Sequence, residues 1–356
     1  MIIDIPALVP FKGGEPITVT GVPYLYNPIN HLVEFKSWAK EIGATVHLSL
    51  ETFKLHVKLG HRSVEFYPQF VAMSKNDSLT AFELTKDFTF IGWNAQGDDH
   101  IWKMSIDKIF FKVLAGKQGL RIPAAWNSGE VLVDHFIIKP RVGTYSEGIW
   151  GPFEAQGYDF SKPLEDGAYY EQFIPGISLK TWVWNGQVIA CEKFDAIYLE
   201  GDGIRTIREI FESPKGNIEL PRKLNRFDAI LAWQKMSPES VLNKGQRAYL
   251  EYRHNDLDFH RPSTLDPDVW HELEPSVQHQ LAKAAAVLYT QIPEEQKHRA
   301  LFSLDAVLDE KNRVWFLELN SHPGILHPKL YRPMLNSLFD YLQKEDRLNL
   351  MRVTNE

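Results

Sequence analysis

The sequence predicts an α+β fold built from antiparallel hairpins and packed helices, and three observations predict it. TFKLHVKLG alternates Phe53, Leu55, Val57 and Leu59 with polar residues, then turns at Gly60 into SVEFY, which is a hairpin pattern. SVQHQLAKAAAVLYTQI sets Val277, Leu281, Ala284, Ala285, Leu288 and Ile292 on one helical face. Between them, strand-like runs (FIIK, YYEQFI, LKTWVW, RAYLEY) alternate with helical ones, the pattern of a mixed architecture.

The chain has 356 residues, enough for two or three domains. Its first element is NHLVEFKSWAKEIG (30–43), with Leu32, Val33, Phe35, Trp38, Ala39 and Ile42 at helical spacing and a stop at Gly43. With the hairpin this makes a small α/β unit over 1–99, ending in the polar stretch NAQGDDH. A hydrophobic share of 44% and a charged share of 24% are ordinary for a globular protein. A net charge of −7 argues against a nucleic-acid or anionic-membrane surface. The one cysteine, Cys191, excludes intrachain disulfides and a multi-Cys metal site. MIIDIPALVPFKGGEP lacks the apolar core of a signal peptide, and no run of about 18 apolar residues occurs. The expectation is a cytoplasmic protein with no membrane partner.

LFSLDAVLDEKNRVWFLELN (301–320) places Asp305, Glu318 and Asn320 on two otherwise apolar runs. With 301–308 and 313–320 as antiparallel strands around a DEKN turn, Asp305 faces Phe316 and Ser303 faces Glu318. Asp305 and Glu318 are then diagonal neighbours on one face, roughly 7–8 Å apart at Cα, with Asn320 one step further along. Two adjacent carboxylates in an apolar setting raise each other's pKa, and a hard divalent cation removes that cost. The alternative is a half-exposed hairpin whose polar face meets solvent or a lysine.

Upstream, SIDKIFFKVLAGKQGLRIPAAW (105–126) reads as a short helix, a loop and a strand, with Lys108 and Lys112 one turn apart. Lys112 is expected on a solvated basic face. VDHFIIKPRVGTYSEGIWGPF (133–153) is an apolar strand ending in Lys139, followed by a loop with Gly143, Thr144, Ser146 and Gly148. Small residues let backbone N–H groups approach phosphate oxygens, although the loop is no Walker A motif and a plain hairpin turn would read the same way. AYYEQFIPG (168–176) is a strand that ends in a Pro-Gly stop and suits an interdomain linker or, equally, a core strand.

In this order the pieces resemble the ATP-grasp superfamily: Lys108 of IDK, Lys139 of FIIKP with its glycine loop, the linker EQFIPG, and the Asp305, Glu318, Asn320 set. EGDGIRTIREIF (200–211) followed by WQKMSPESVLNKGQRAYLEYRHN (233–255) is similar to the connector of cyanophycin synthetase and glutathione synthetase-like ligases, with D-alanine–D-alanine ligases as further relatives. The resemblance implies an ATP-grasp fold, with a small subdomain over 100–175, a C-terminal subdomain over 176–345 and a tail over 346–356. It implies carboxylate–amine ligation through an acyl phosphate, with ATP and Mg²⁺ (two ions, Mn²⁺ as a substitute) and amino-acid or peptide substrates. Dimers are common among such ligases.

Residue by residue, it implies that Lys108 and Lys139 hold the α and β phosphates and that the 143–148 loop covers the γ-phosphoryl group. Glu171, Gln172, Phe173 and Ile174 frame the adenine, Asp305, Glu318 and Asn320 carry Mg²⁺, and Gly324 brings backbone N–H to the acyl phosphate. This sequence departs from its relatives at Ser178, where a ribose-binding acid is usual, at Lys180, often Arg, at Ser303, elsewhere an Arg, and at Glu251. Arg253 and Arg141 are the candidates for the missing arginines. A kinase acting on a hydroxyl and an ATP-binding module without turnover are the rival readings.

Overall fold

The computed structural model describes residues 36–48, 55–66, 103–128, 133–143, 148–194, 196–213, 227–251, 268–292, 294–297, 300–320, 323, 330, 332–337 and 340. The expected helix is present over 36–42 and closes at Gly43. Strands β1 (Thr45–Leu48), β2 (Leu55–Leu59) and β3 (Arg62–Phe66) follow as one antiparallel sheet in that order. Alternation put Val57 on the inner face, and it is fully buried. The 36–42 helix docks on a helical turn at 332–337, where Trp38 Nε1 donates to Asn336 Oδ1 at 2.8 Å and Arg332 pairs with Glu41.

Helices α1 (Lys103–Ile106) and α2 (Lys108–Lys117) come next, separated by Asp107. Asp107 ends one helix and starts the other, since its carboxylate accepts from the N–H groups of Ile109 and Phe110 as an N-cap. Strands β4 (Ala125–Trp126), β5 (His135–Pro140), β6 (Trp150–Glu154) and β7 (Ala168–Gln172) form an antiparallel sheet in the order β4-β7-β5-β6. The linker then carries the chain into β8 (Ile177–Trp184) and β9 (Gln187–Phe194).

A small module follows. It contains β10 (Ile197–Glu200), α3 (Ile207–Phe211), α4 (Asp228–Trp233) and β11 (Arg247–Glu251), with its own apolar core of Leu199, Ile207, Phe227, Leu231 and Leu250. Thr206 and Glu209 form a capping box at the start of α3. Helices α5 (Pro275–Tyr289) and α6 (Glu294–Lys297) lead to β12 (Leu301–Leu308) and β13 (Val314–Asn320). The last sheet runs β13-β12-β8-β9, all antiparallel.

That sheet has two different faces. On one, Phe302, Leu304, Ala306, Leu179, Val183 and Cys191 join Val277, Leu281, Ala284, Ala285 and Leu288 of α5 and Phe111 and Ala115 of α2 in the main core. Each large side chain buried there contributes about 1.5–3 kcal/mol. On the other lie Ser303, Asp305, Glu318 and Lys180. Strand β8 is buried at every position after its first, because both faces are covered, and Ser178, Lys180 and Thr181 are buried along with its apolar residues.

The linker glycine is forced by close approach. A Cβ on Gly176 would lie 2.4 Å from the Leu308 carbonyl oxygen and 2.6 Å from Val307 Cγ1, so only glycine lets the chain pass the end of β12.

Candidate active site

The hairpin expectation needs a correction. Asp305 does not face Phe316; it pairs directly with Glu318, and Ser303 pairs with Asn320. Two features move the register. The connection runs over five residues, 309–313, because the Asp309 carboxylate accepts from the N–H groups of Lys311 and Arg313 and shapes a wider turn. The register then shifts again at Asp305/Ala306, where Leu317 is an extra residue on β13. The carboxylates therefore sit closer than the diagonal arrangement implies, at the roughly 4.5–5.5 Å Cβ spacing of opposed residues.

Asp305 Oδ1 is buried and has no hydrogen-bond partner among the described residues. Burial pushes the carboxyl pKa up to about 6; the charge of Lys180 pulls it down and that of Glu318 raises it further. A buried carboxylate oxygen with no donor fits a site for a hard cation. Among the described residues no three His, Cys, Asp or Glu side chains gather into a metal cage. The donor set is two carboxylates and an amide, the type Mg²⁺ completes with water and phosphate oxygens.

Three lysines face these acids. Lys108, at the start of α2, donates to the Gly143 carbonyl oxygen at 2.7 Å and lies 3.5 Å from Glu318 Oε2. Lys139 of β5 lies 3.4 Å from Glu171 Oε1 and 3.9 Å from Glu318 Oε2. The expectation of a solvated Lys112 is overturned. Its ammonium lies 2.8 Å from Glu171 Oε2 and donates to the Leu317 carbonyl oxygen, with only 3% of the side chain exposed. The reason is helical spacing: Lys108, Phe111, Lys112 and Ala115 form one buried stripe of α2, which packs on β13.

Glu171 is the hub. Strand β7 sets Tyr169 directly opposite Lys139, so Glu171, two residues on, shares their face. Its carboxylate meets Lys112, Lys139 and the Tyr169 hydroxyl, which donates at 2.9 Å. Burial alone would raise the Glu171 pKa; the two ammonium groups and the hydrogen bonds outweigh it and hold the carboxyl below the usual range. The same burial, together with the Glu171 charge, drives the Tyr169 pKa upward. The Glu171 side chain thus points at the lysines, and adenine contacts in this segment would fall to the backbone and to its neighbours. Gln172 Oε1 accepts from Ala124 N–H, and the Phe173 ring stands edge-on to Trp233 at 5.3 Å. Ile174 is half-buried in the linker, and Ser178 is buried on β8 beside Lys180.

Gly143 and Gly148 flank the loop after Lys139 with positive φ of 154° and 70°. Arg141 holds the base of this loop. Its guanidinium grips Asp107 through Nε at 2.8 Å and Nη2 at 2.5 Å, and its carbonyl accepts from Lys108 N–H. That fork is committed to Asp107, whose pKa it lowers, so Arg141 latches the loop to the start of α2. Thr144, Ser146, Arg253 and Gly324 lie outside the described residues. Sequence reasoning undervalued Lys112 and passed over Tyr169. The one-turn spacing from Lys108 and the strand parity with Glu171 were the signals for them.

Comparison with known proteins gives partial likenesses. The model of the tubulin-tyrosine ligase family matches residues 234–349, less than half of the chain. No curated protein sequence matches. Among solved structures, a bifunctional glutathione synthetase from Pasteurella multocida is similar at 15% identity, with a TM-score of 0.44 over 88% of this chain and 43% of that one. D-alanine–D-alanine ligase from Bacillus anthracis is similar at 12% identity, with a TM-score of 0.34 over 68% of this chain and 69% of that one. The ATP-grasp ligase PsnB, complexed with a minimal precursor, is similar at 13% identity, with a TM-score of 0.33 over 66% of this chain and 61% of that one. The chain spans less than half the length of the glutathione synthetase. The described fold is α+β, with Lys139 and Glu171 on one four-stranded antiparallel sheet and Asp305, Glu318 and Lys180 on another. Among the described residues no helix is long and apolar enough to cross a membrane.

Proposed function

We propose that this chain is an ATP-dependent ligase that joins a carboxylate to an amine through an acyl phosphate, with amino-acid or peptide substrates. The observation that carries the reading is the convergence of Lys108 and Lys139 on Glu318, beside a buried Asp305 oxygen that has no hydrogen-bond partner among the described residues. A nucleotide with its cation answers both halves of that arrangement. The match to a family named for joining tyrosine to tubulin supports ligation over hydroxyl phosphorylation.

In this scheme the ammonium groups of Lys108 and Lys139 neutralise phosphate charge, and Glu171 with Lys112 and Tyr169 keeps Lys139 in place. Asp305, Glu318 and Asn320 hold Mg²⁺, which when bound neutralises charge on the transferring group. The backbone of Gln172, Phe173 and Ile174 frames the base, with Ser178 near the ribose. The 143–148 loop, including Thr144 and Ser146, covers the terminal phosphoryl group, and Arg141 anchors its base through Asp107. On the resemblance, Gly324 offers a backbone donor to the acyl phosphate and Arg253 stands in for a missing arginine; both lie outside the described residues. The substrate carboxylate takes the γ-phosphoryl group, ADP departs, and the amine then displaces phosphate.

The test is ADP release from Mg²⁺·ATP across a panel of paired amino acids and peptides, with Glu318→Ala as control. ADP release that needs both substrates and is lost in the variant supports the ligase. Release with one hydroxyl compound and a phosphorylated product replaces it with a kinase.

A further inference from the structure

Three consecutive residues at the C-terminal end of α4 touch three different elements. Trp233 sets its indole edge-on to two rings, Phe173 of the linker at 5.3 Å and His135 of β5 at 5.4 Å. Those two residues are themselves joined, since Phe173 N–H donates to the His135 carbonyl oxygen at 2.9 Å. Gln234 turns the other way and clasps β11. Its side-chain amide donates to the Tyr249 carbonyl oxygen at 2.7 Å and accepts from Tyr249 N–H at 2.9 Å. Lys235 pairs with Glu154 of β6.

The backbone makes this divergence possible. Met236 N–H returns to the Leu231 carbonyl at 2.8 Å and Lys235 N–H to that of Ala232 at 2.9 Å, the Schellman closure of a helix. Glycine is usual at the left-handed position of that closure, but here Lys235 stands there with a φ of 60°. Lysine in that conformation is strained where glycine would not be, and its ammonium is committed to Glu154. Both side chains are exposed, so the pair adds little stability; what it does is fix the α4 terminus on β6.

The arrangement is a joint. The small module follows the linker in sequence, yet α4 packs both on β6, of the sheet before the linker, and on β11. Gln172, Phe173 and Ile174 frame the base in the function proposed above, and β11 ends two residues before Arg253. A displacement of Phe173 as the base enters either carries Trp233 with it or opens a gap between packed rings, and a gap forfeits their contacts. Trp233 and Gln234 are adjacent at one helix end, so the movement passes to Tyr249 through the two Gln234 hydrogen bonds.

We propose that Trp233 and Gln234 are positioning residues that couple the base-framing linker to β11, so that nucleotide binding orders that strand. This rests on the nucleotide-binding function proposed above, and the experiment separates the two. Amide hydrogen exchange of β11 (247–251) is followed by mass spectrometry on the full chain, with and without saturating Mg²⁺·ADP, and α5 serves as the internal reference. Wild type is compared with Trp233→Leu, Trp233→Phe and Gln234→Leu, and calorimetry gives the ADP affinity of each. In wild type, ADP should slow β11 exchange by about fivefold or more beyond any change in α5. In Trp233→Leu and in Gln234→Leu the slowing should fall below about twofold, while Trp233→Phe, which keeps a ring between Phe173 and His135, retains most of it. Gln234→Leu should still bind ADP within about twofold of wild type, because the Gln234 hydrogen bonds lie on β11 and α4 rather than on the linker. Slowing that persists in either leucine variant overturns the proposal, as does a wild type that binds ADP with no slowing in β11. A folded Trp233→Leu that binds no ADP makes Trp233 a wall of the base pocket rather than a joint, and also overturns it. A wild type that binds no ADP refutes the underlying function instead.

Discussion

The Lys112–Glu171 pair should behave as a strongly coupled buried unit. At 2.8 Å, two unit charges attract by about 6 kcal/mol at an effective dielectric near 20, against a desolvation cost of several kcal/mol for each ion. The net value of the intact pair is therefore small, and the cost of breaking it is not. Lys112→Met leaves the Glu171 carboxylate with Lys139 at 3.4 Å and the Tyr169 hydroxyl at 2.9 Å, so its loss falls at the low end of the usual range, about 3 kcal/mol. Glu171→Leu leaves two buried ammonium groups without their carboxylate, and Lys112 retains the Leu317 carbonyl at 3.4 Å; about 4–5 kcal/mol follows. The double variant removes one charge of each sign, so its cost should fall short of the sum by about 2–3 kcal/mol. Urea unfolding of the four apo proteins, monitored by circular dichroism with Mg²⁺ chelated, measures the cycle. Additivity within about 0.5 kcal/mol, or single losses below about 1 kcal/mol, would refute the reasoning.

Asp309 gives a pH dependence. Burial opposes its ionisation, but hydrogen bonds from Trp315 Nε1, the Arg313 and Lys311 N–H groups and the Arg313 side chain outweigh this, and its pKa falls to about 2. Its stabilisation, about 2 kcal/mol, is complete above its ordinary value near 3.8 and is lost as pH falls towards 2. Asp309→Asn should flatten the acid limb of the unfolding curve between those values. Gly176→Ala should cost about 1–3 kcal/mol and displace the start of β8, read from urea unfolding and Trp182 fluorescence. Asp107→Ala removes an N-cap and frees Arg141; a loss of about 1–2 kcal/mol is expected, with faster amide exchange in the 141–143 segment. Lys108→Ala should weaken nucleotide affinity at least tenfold and cost about 1–2 kcal/mol of stability, since it removes a buried side chain and its bond to the Gly143 carbonyl.

Much of the architecture was legible in the chain. The five apolar positions of α5 and the Val57 hairpin are short-range patterns of period 3.6 or 2, which local sterics and burial enforce, and the Pro-Gly break between the sheets is as local. Asp305, Glu318, Asn320, Lys108 and Lys139 could also be singled out in the sequence, and the structure brings the two acids and the two lysines together. Tertiary structure decided the rest. The register of Asp305 against Glu318 depends on a turn shaped by Asp309 and on one extra residue at Leu317, and neither alters the hydrophobic pattern. Whether Lys112 met solvent or Glu171 depended on which face of α2 turned to β13, and both residues look polar in isolation. Lys180 stands out in the sequence only as a departure from an arginine, with no sign of its neighbours. Its place beside Asp305 follows from pairing strands more than a hundred residues apart, while Glu192 comes from the adjacent hairpin strand, and only the folded sheet brings those charges into one row.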